Sequence, residues 1–399
     1  MITTMRPHDK PQVVLAFGSA FSAWILPHYE PLCAEFDLRI LSGDLFGRPD
    51  LLTRVSTTRY RVECLPSLMA KISSYALDRC WPTWDRILGI DEHLAKAKIV
   101  HTVELNAGVS LQVARRKRRY GYKHVVTVWE NIARRMGGNP IVEKAKRVVM
   151  ESADHYVAVS ERARTALHLE GVPEKRITVI GPGIALPEYV ERPPSDPKRF
   201  RMLFVGKKTR SKGVEELLYA LWLLKQDKEL SGLDLHLTFL GITPSRGGPY
   251  AQTIKRYGLK ESLTEIPFVP YNEVLRHYRE ADALVVPSRI TPLWQEQWGM
   301  VFMEAMSQGL PIVTTHSGSI AEVAGEAALY ARPNDHHSLY LCLKSLATSP
   351  AVCQRLSQEG LAVAHNRFSA GDAASQLQAV YRDLLHDSSS QGEGVLCVG

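Results

Sequence analysis

Short apolar runs alternate with amphipathic helical segments through both halves of this 399-residue chain. The runs in the first half cover 12–17, 38–41, 97–101, 124–128, 155–159 and 177–180, and those in the second half cover 200–205, 235–240, 283–286 and 312–314. Continuous apolar strands separated by helices are typical of a parallel sheet covered on both faces. The sequence therefore predicts an α/β fold class.

The alternation is interrupted at 187–197, where Pro193 and Pro194 predict a linker. A chain of this length is too long for one ordinary core, so two domains are expected. The predicted boundaries are 1–186 and 198–369 for two Rossmann-like domains, 370–387 for a last helix and 388–399 for a disordered polar tail.

Composition indicates a soluble globular enzyme, with 45% hydrophobic and 23% charged residues. No apolar run reaches the ~18 residues that a spanning helix needs, and no apolar core with a cleavage site follows residues 1–12. We therefore expect neither a membrane span nor a secretory signal. The six cysteines form no CxxC pair, which favours a reduced cytoplasm. No Asp-x-Asp or HExxH pattern is present, so we expect neither a metal nor a resident cofactor.

Basic residues are concentrated in the first half, where residues 1–185 hold 27 Lys and Arg against 19 Asp and Glu. The densest run is Arg115-Arg-Lys-Arg-Arg119. This run is either a solvated helix face or a surface attracted to anionic lipid. Nucleic acid is not expected as a partner, because no recognition motif accompanies the charge. Peripheral contact with the inner face of a membrane is therefore a hypothesis.

Two carboxylates stand eight positions apart in the segment that begins at Glu296 and ends at Glu304. The pattern around them predicts the end of a strand, then a loop, then a helix that a glycine ends. Gly299 lies at the turn between the two acids. One acid then lies in a loop and the other in a helix. We expect the loop acid to hold a sugar and the helix acid a ribose, with a diphosphate resting on the N–H groups of the helix start.

A second candidate is the loop from Gly206 to Gly213, which carries Lys207 and Lys212 after a predicted strand. Cations at this position would stabilise the charge that develops on a departing diphosphate. A solvated basic turn is the alternative for this loop taken alone.

The first domain offers weaker candidates. Gly18 ends the first strand and is a candidate for contact with an acceptor or with the diphosphate. It does not begin a GxGxxG motif, so a dinucleotide site has no support. His101 and Glu130 lie at or just beyond strand ends and are candidates for the acceptor side. His101 can equally be a core histidine with satisfied hydrogen bonds.

These segments together resemble the family-four retaining glycosyltransferases of the GT-B fold. The resemblance rests on the Glu-x7-Glu pattern of Glu296 and Glu304, on Phe204-Val-Gly206-Lys207 with Lys212-Gly213, and on Ser317-Gly-Ser319. It implies two Rossmann-like domains facing a cleft, with a C-terminal helix crossing back to the N-terminal domain.

The resemblance also implies a function and residue roles. A sugar would pass, with retention and without a metal, from a nucleotide diphosphate-sugar to a carbohydrate or lipid-linked acceptor bound by the N-terminal domain. The implied donor residues are Glu296, Glu304, Lys207, Lys212, Gly206, Gly299, Met300 and Val301, and Phe268 lies in the segment expected to contact the base.

Two features depart from the family pattern. Many members carry a histidine where Trp129 and Glu130 follow the strand here, and an arginine is usual in place of Lys207. A lysine keeps the charge but loses the bidentate geometry of the guanidinium. A sugar-nucleotide epimerase or hydrolase, and a binding subunit without activity, remain alternatives. Donor base, sugar, acceptor and linkage cannot be read from the sequence.

Overall fold

A computed structural model describes residues 10–18, 26–43, 61–65, 86–135, 137–184, 186–192, 196–241 and 250–390. The chain divides into two compact units. Unit 1 contains Met1–Ala185 together with Ser369–Gly399, and unit 2 contains Leu186–Phe368.

Unit 1 is built on a parallel sheet in which seven described strands take part. They are β1 Gln12–Gly18, β2 Asp37–Gly43, β3 Arg61–Leu65, β4 Ile99–Val103, β5 Lys123–Val128, β6 His155–Ala158 and β7 Ile177–Val179. Their spatial order is β3-β2-β1-β4-β5-β6-β7, so the order reverses between β1 and β4. Every residue of β1 is buried, as expected for a strand covered on both faces.

The described helices of unit 1 before the linker follow the strands. They are α1 Leu26–Tyr29, α2 Asp91–Leu94, α3 Gly108–Ala114, α4 Lys117–Tyr120, α5 Pro140–Ser152 and α6 Glu161–Glu170, with 3-10 turns at Glu30–Ala34 and Glu174–Arg176. Local sequence fixes two of the helix starts. Asn139 caps α5 by accepting from the N–H of Ile141, and Ser160 caps α6 by accepting from the N–H of Ala163.

Unit 2 repeats this plan with a parallel sheet of six described strands. They are β8 Arg199–Val205, β9 Asp234–Leu240, β10 Leu263–Ile266, β11 Ala283–Val286, β12 Ile312–Thr315 and β13 Ala328–Ala331. Their order is β10-β9-β8-β11-β12-β13, so this sheet reverses between β8 and β11. Both orders are of the Rossmann type.

Seven described helices belong to unit 2. They are α7 Val214–Gln226, α8 Ala251–Arg256, α9 Tyr271–Glu280, α10 Met300–Ser307, α11 Ile320–Ala324, α12 His336–Thr348 and α13 Pro350–Arg367, with 3-10 turns at Arg210–Lys212, Lys228–Leu230, Lys260–Ser262 and Gly325–Ala327. The last described helix, α14 Ala370–Ser390, belongs to unit 1.

The helix α14 packs into the core of unit 1. Its side chains Leu377, Val380 and Tyr381 share one buried cluster with residues of β1, β2 and β4. The Tyr381 hydroxyl lies 2.6 Å from Nδ1 of His101, and Nε2 of His101 lies 2.7 Å from Oγ1 of Thr127. His101 is 0% exposed, and its burial lowers its pKa to about 3.

These observations confirm the α/β class, the two Rossmann-like sheets and the returning helix. They correct the placement of His101 on the acceptor side, because both ring nitrogens are hydrogen-bonded in the core. The predicted tail from 388 is wrong at its start, since α14 continues to Ser390. Residues 66–85 and 391–399, the segment after Gly18 and Pro193-Pro194 lie outside the described residues.

We predict that Tyr381→Phe lowers the free energy of unfolding by about 1–3 kcal/mol, because it leaves a buried histidine nitrogen without its partner. Urea unfolding of the purified protein measures this change. Arg382→Ala on the same helix is the control. Its exposed ion pair with Glu35 is worth at most about 1 kcal/mol, so an equal loss in the two variants would contradict the prediction.

Candidate functional site at the carboxyl edge of the second sheet

The strand order of unit 2 reverses between β8 and β11, and both strands end at the same edge of the sheet. In open α/β sheets this reversal leaves a crevice in which ligands bind. The loop 206–213 follows β8, and the loop 287–299 follows β11. The predicted lysines and the predicted loop acid therefore leave adjacent strands at the expected position.

Lys212 and Glu296 form an ion pair that joins the two loops. The distance from Nζ of Lys212 to Oε2 of Glu296 is 2.5 Å. The Ser288 hydroxyl donates to the same oxygen at 3.0 Å. Nζ of Lys212 also lies 5.5 Å from the centroid of the Trp294 ring. Glu296 is buried and Lys212 is half-buried, so the pair is shielded more than a surface pair.

Backbone contacts hold the two loops together beneath this pair. The N–H of Arg289 donates to the carbonyl of Ser211 at 2.8 Å. The Arg289 guanidinium pairs with Glu215 at 3.1 Å and with Glu216, both in the first turn of α7. Gly213 has a φ of 72°, and a Cβ there would lie 1.9 Å from the carbonyl oxygen of Pro287. The close approach of the loops therefore requires glycine at this position.

The loop after β12 supports Glu296 from the other side. The N–H of Ser319 donates to the Glu296 carbonyl at 3.0 Å, and the N–H of Glu296 donates to the Ser317 hydroxyl at 3.3 Å. Gly318 lies so close that a Cβ would fall 1.8 Å from the Glu296 carbonyl oxygen. Sequence analysis noted this glycine turn only through the family resemblance.

The second acid, Glu304, lies in α10. Its Oε2 accepts a hydrogen bond of 2.7 Å from the buried hydroxyl of Tyr278, which belongs to α9. Helix α10 begins at Met300, and the preceding Gly299 has a φ of 90° that sets the turn into the helix. Met300 and Val301 form its half-exposed first turn, where backbone N–H groups have no acceptor one turn earlier in the helix.

Three further residues were predicted to contact the sugar donor, and they are Gly206, Lys207 and Phe268. Lys207 is exposed, and Gly206 has a φ of 126° with no atom within 4 Å of a Cβ. Phe268 follows β10, two strands from β8, and 69% of it is exposed. Lys208, which sequence analysis passed over, pairs with Glu265 and lies 4.9 Å from the centroid of the Phe239 ring.

In unit 1, Gly18 ends β1 with a φ of 55°. Glu130 follows β5 and pairs with Arg135 at 2.5 Å. Sequence analysis did not select Glu104, which comes directly after β4. Its burial raises its pKa to about 7, and the nearby charge of Glu130 adds to the shift. The available signal was an acid placed immediately after a buried strand.

The described residues contain no group of three or more His, Cys, Asp or Glu side chains that could hold a metal ion. No helix among them combines the length and apolarity needed to cross a membrane.

Comparison with known proteins identifies the family. Residues 51–187 match the family model for Glycosyltransferase Family 4, and residues 187–362 match that for Glycosyl transferases group 1. These adjoining matches show that the chain belongs to the family-four glycosyltransferases of the GT-B fold, as the sequence predicted.

Curated relatives and solved structures agree with this placement. The chain is 27% identical over 214 residues to D-inositol 3-phosphate glycosyltransferase of Pseudarthrobacter chlorophenolicus, which covers 51% of this chain and 48% of the relative. The match thus spans about half of that relative's length.

Two solved structures share the fold. Sucrose-phosphate synthase from Thermosynechococcus elongatus is 17% identical with a TM-score of 0.74, over 94% of this chain and 100% of the other. HepE from Anabaena, solved in complex with UDP-glucose, is 15% identical with a TM-score of 0.71, over 93% of this chain and 99% of the other.

We predict that Gly318→Ala destabilises the protein more than Gly232→Ala, as measured by thermal unfolding. Both glycines have positive φ, so an alanine at either position costs about 1–2 kcal/mol of backbone strain. Only Gly318 would also clash, which adds ~1–3 kcal/mol. Gly232, with no atom within 4 Å of a Cβ, is the matched control. Equal shifts in melting temperature would contradict the close packing described here.

Proposed function

We propose that the protein is a retaining glycosyltransferase that moves a sugar from a nucleotide diphosphate-sugar to a hydroxyl of a carbohydrate or lipid-linked acceptor. The observation that carries this proposal is the half-buried pair of Lys212 and Glu296, which joins the two loops where the sheet of unit 2 reverses. A cation and an acid held at this edge suit a ligand that carries both a diphosphate and a sugar.

The two members of the pair have different roles in this proposal. The diphosphate of the donor gives Lys212 a second anionic partner and draws its ammonium away from Glu296. Glu296 then accepts hydrogen bonds from hydroxyls of the donor sugar. As the bond to the sugar breaks, negative charge grows on the diphosphate, and Lys212 stabilises this charge more in the transition state than in the ground state.

The remaining donor contacts follow from their positions. The first turn of α10, from Met300, offers N–H groups and the positive end of a helix dipole to the diphosphate. Glu304, on the same helix, accepts from the ribose hydroxyls, and Lys207 reaches the diphosphate from the rim. Retention is explained by attack from the same face as the departing phosphate, whose oxygen takes the proton of the acceptor. This chemistry needs no protein base and no metal.

The relatives support the reaction class. One relative is a D-inositol 3-phosphate glycosyltransferase, and HepE has been solved with UDP-glucose. A uridine diphosphate-sugar is therefore the first donor class to examine, and unit 1 is the proposed acceptor-binding unit.

We predict that Lys212→Ala reduces the turnover number for sugar transfer by roughly 100- to 1,000-fold, because a preorganised cation at a developing charge contributes about that much. Glu304→Ala is expected to weaken donor binding, measured by calorimetry with the nucleoside diphosphate. Lys225→Ala is the control, because this lysine lies in the last turn of α7 and donates to the Ser262 hydroxyl.

The products separate the proposal from its alternatives. Wild-type rates in Lys212→Ala would remove this site from the reaction. An epimerised nucleotide-sugar as the main product without acceptor would instead identify an epimerase. Tight donor binding without turnover on a panel of acceptors would identify a binding subunit.

We also propose that unit 1 contacts an anionic membrane surface. Arg115, Arg118 and Arg119 are exposed around α4, and Lys144 is exposed on α5, which packs against α3. Ile141, in the first turn of α5, is 47% exposed and offers an apolar contact. The other two cations of the run are engaged internally, Arg116 with Asp91 at 2.9 Å and Lys117 with Asp154 at 2.6 Å.

We predict that replacing Arg115, Arg118 and Arg119 with alanine weakens binding to anionic vesicles roughly 100-fold, because each contributes about 1 kcal/mol near the lipid. Co-sedimentation at low and high salt measures this. Lys255, Arg256 and Lys260, exposed cations of unit 2, provide the matched triple variant. Vesicle binding that does not weaken at high salt would contradict the proposed membrane-binding surface. An equal loss of binding in the two triple variants would contradict it as well.

A further inference from the structure

Glu104 adopts a backbone conformation that L-residues avoid. It has a φ of 66°, and the other non-glycine residues with positive φ among the described ones are Arg134 and Asn334. Its N–H donates to the Thr127 carbonyl at 2.8 Å, which ties the end of β4 to β5. A left-handed residue costs about 1–2 kcal/mol, and such strain collects at functional sites.

The carboxyl group of Glu104 holds the start of the loop after β5. Its Oε1 accepts from the N–H of Trp129 at 3.0 Å and from the N–H of Glu130 at 3.2 Å. Glu104 itself directly follows β4. Both strands end at the carboxyl edge of the sheet, and β4 borders the reversal of its order.

A small cavity adjoins the carboxyl group, and its volume of about 20 Å³ is enough for roughly one water molecule. The charged groups around it come from three elements and are Glu130, Arg135, Lys146 and Glu170. They form two ion pairs, Glu130 with Arg135 at 2.5 Å and Lys146 with Glu170 at 2.7 Å. Within the described residues, Glu104 has no ion pair of its own. Its charge is therefore supported by two N–H groups and opposed by burial.

The ionisation of Glu104 follows from these surroundings. Burial is the main cause that raises its pKa from the ordinary 4.5 to about 7, and the charge of Glu130 raises it further. The two backbone hydrogen bonds and the charge of Arg135 act in the opposite direction. A hydrogen bond from an N–H is stronger to a carboxylate than to a carboxylic acid. The hydrogen bonds from the N–H groups of Trp129 and Glu130 are therefore strongest when Glu104 is charged.

We propose that Glu104 is a positioning residue for the acceptor: as a carboxylate it holds Trp129 and Glu130 in the conformation that receives the acceptor, and protonation releases them. This inference rests on the proposed function of unit 1 as the acceptor-binding unit. It explains why a strained, half-buried acid occupies a position where a neutral residue would cost less.

The pH dependence of stability has a defined sign. The folded protein binds the proton of Glu104 more tightly than the unfolded chain, because its folded pKa is the higher one. The contribution of Glu104 to stability is therefore most favourable below about pH 4.5 and falls as the pH rises to about 7. Glu104→Gln abolishes this loss of stability with rising pH, because glutamine keeps an oxygen for the two N–H groups and never carries the charge.

The test compares wild type, Glu104→Gln and the exposed control Glu151→Gln with an uncharged acceptor. From about pH 8 to about pH 6 the ionised fraction of Glu104 falls roughly tenfold, so the wild-type KM for acceptor should rise by that factor. Glu104→Gln should show a high acceptor KM at both pH values with an unchanged donor KM. Glu151→Gln should follow wild type.

Thermal unfolding provides a readout that does not depend on activity. The melting temperature of Glu104→Gln relative to wild type should be higher at about pH 8 than at about pH 5. Equal acceptor KM profiles in wild type and Glu104→Gln, or a pH-independent difference in melting temperature, would overturn this inference alone. Absence of sugar transfer by the wild-type protein would instead count against the proposed function.

Discussion

The parallel pairing of β8 with β11 is the constraint on which the proposed donor site depends. These strands are the first and fourth of their unit, and their neighbouring positions place two distant loops at one edge of the sheet. Lys212 and Glu296, 84 positions apart in the chain, can form their ion pair only because of this pairing. A consecutive arrangement of strands would have separated them.

Glycines let the loops approach closely enough for that pair to form. Gly213 packs on the carbonyl of Pro287, and Gly318 packs on the carbonyl of Glu296. The half-buried pair is then surrounded by backbone that cannot easily move, with Ser288 and Ser319 fixing the side chain and the peptide of Glu296. Such rigidity lets a cation stabilise charge without first reorganising its surroundings.

The two units stabilise the acids Glu296 and Glu104, one buried and one half-buried, in different ways. In unit 2, Glu296 has a lysine at 2.5 Å, which offsets the cost of taking its charge out of water. In unit 1, Glu104 relies on two backbone N–H groups, and the nearby cations are paired with other acids. The first arrangement pairs the acid with a cation, whereas the second leaves it to backbone donors, and its charge is sensitive to pH. This difference fits the distinct roles proposed for the two acids.

The periodicity of the chain determined its α/β class and most of its strands, because continuous apolar runs need burial on both faces. It missed β3, β10 and β13, whose short or mixed sequences carry little signal, and the helices α9, α12 and α13. The spacing of Glu296 and Glu304 and the glycine-bounded lysine loop could be read directly, since local backbone geometry determines both motifs. Tertiary structure alone decided that His101 belongs to the core, that Lys212 rather than Lys207 meets Glu296, and that Glu104 is strained. Each of these depends on which strands lie side by side and on how far a side chain is removed from water, and neither quantity is encoded in a local stretch of residues.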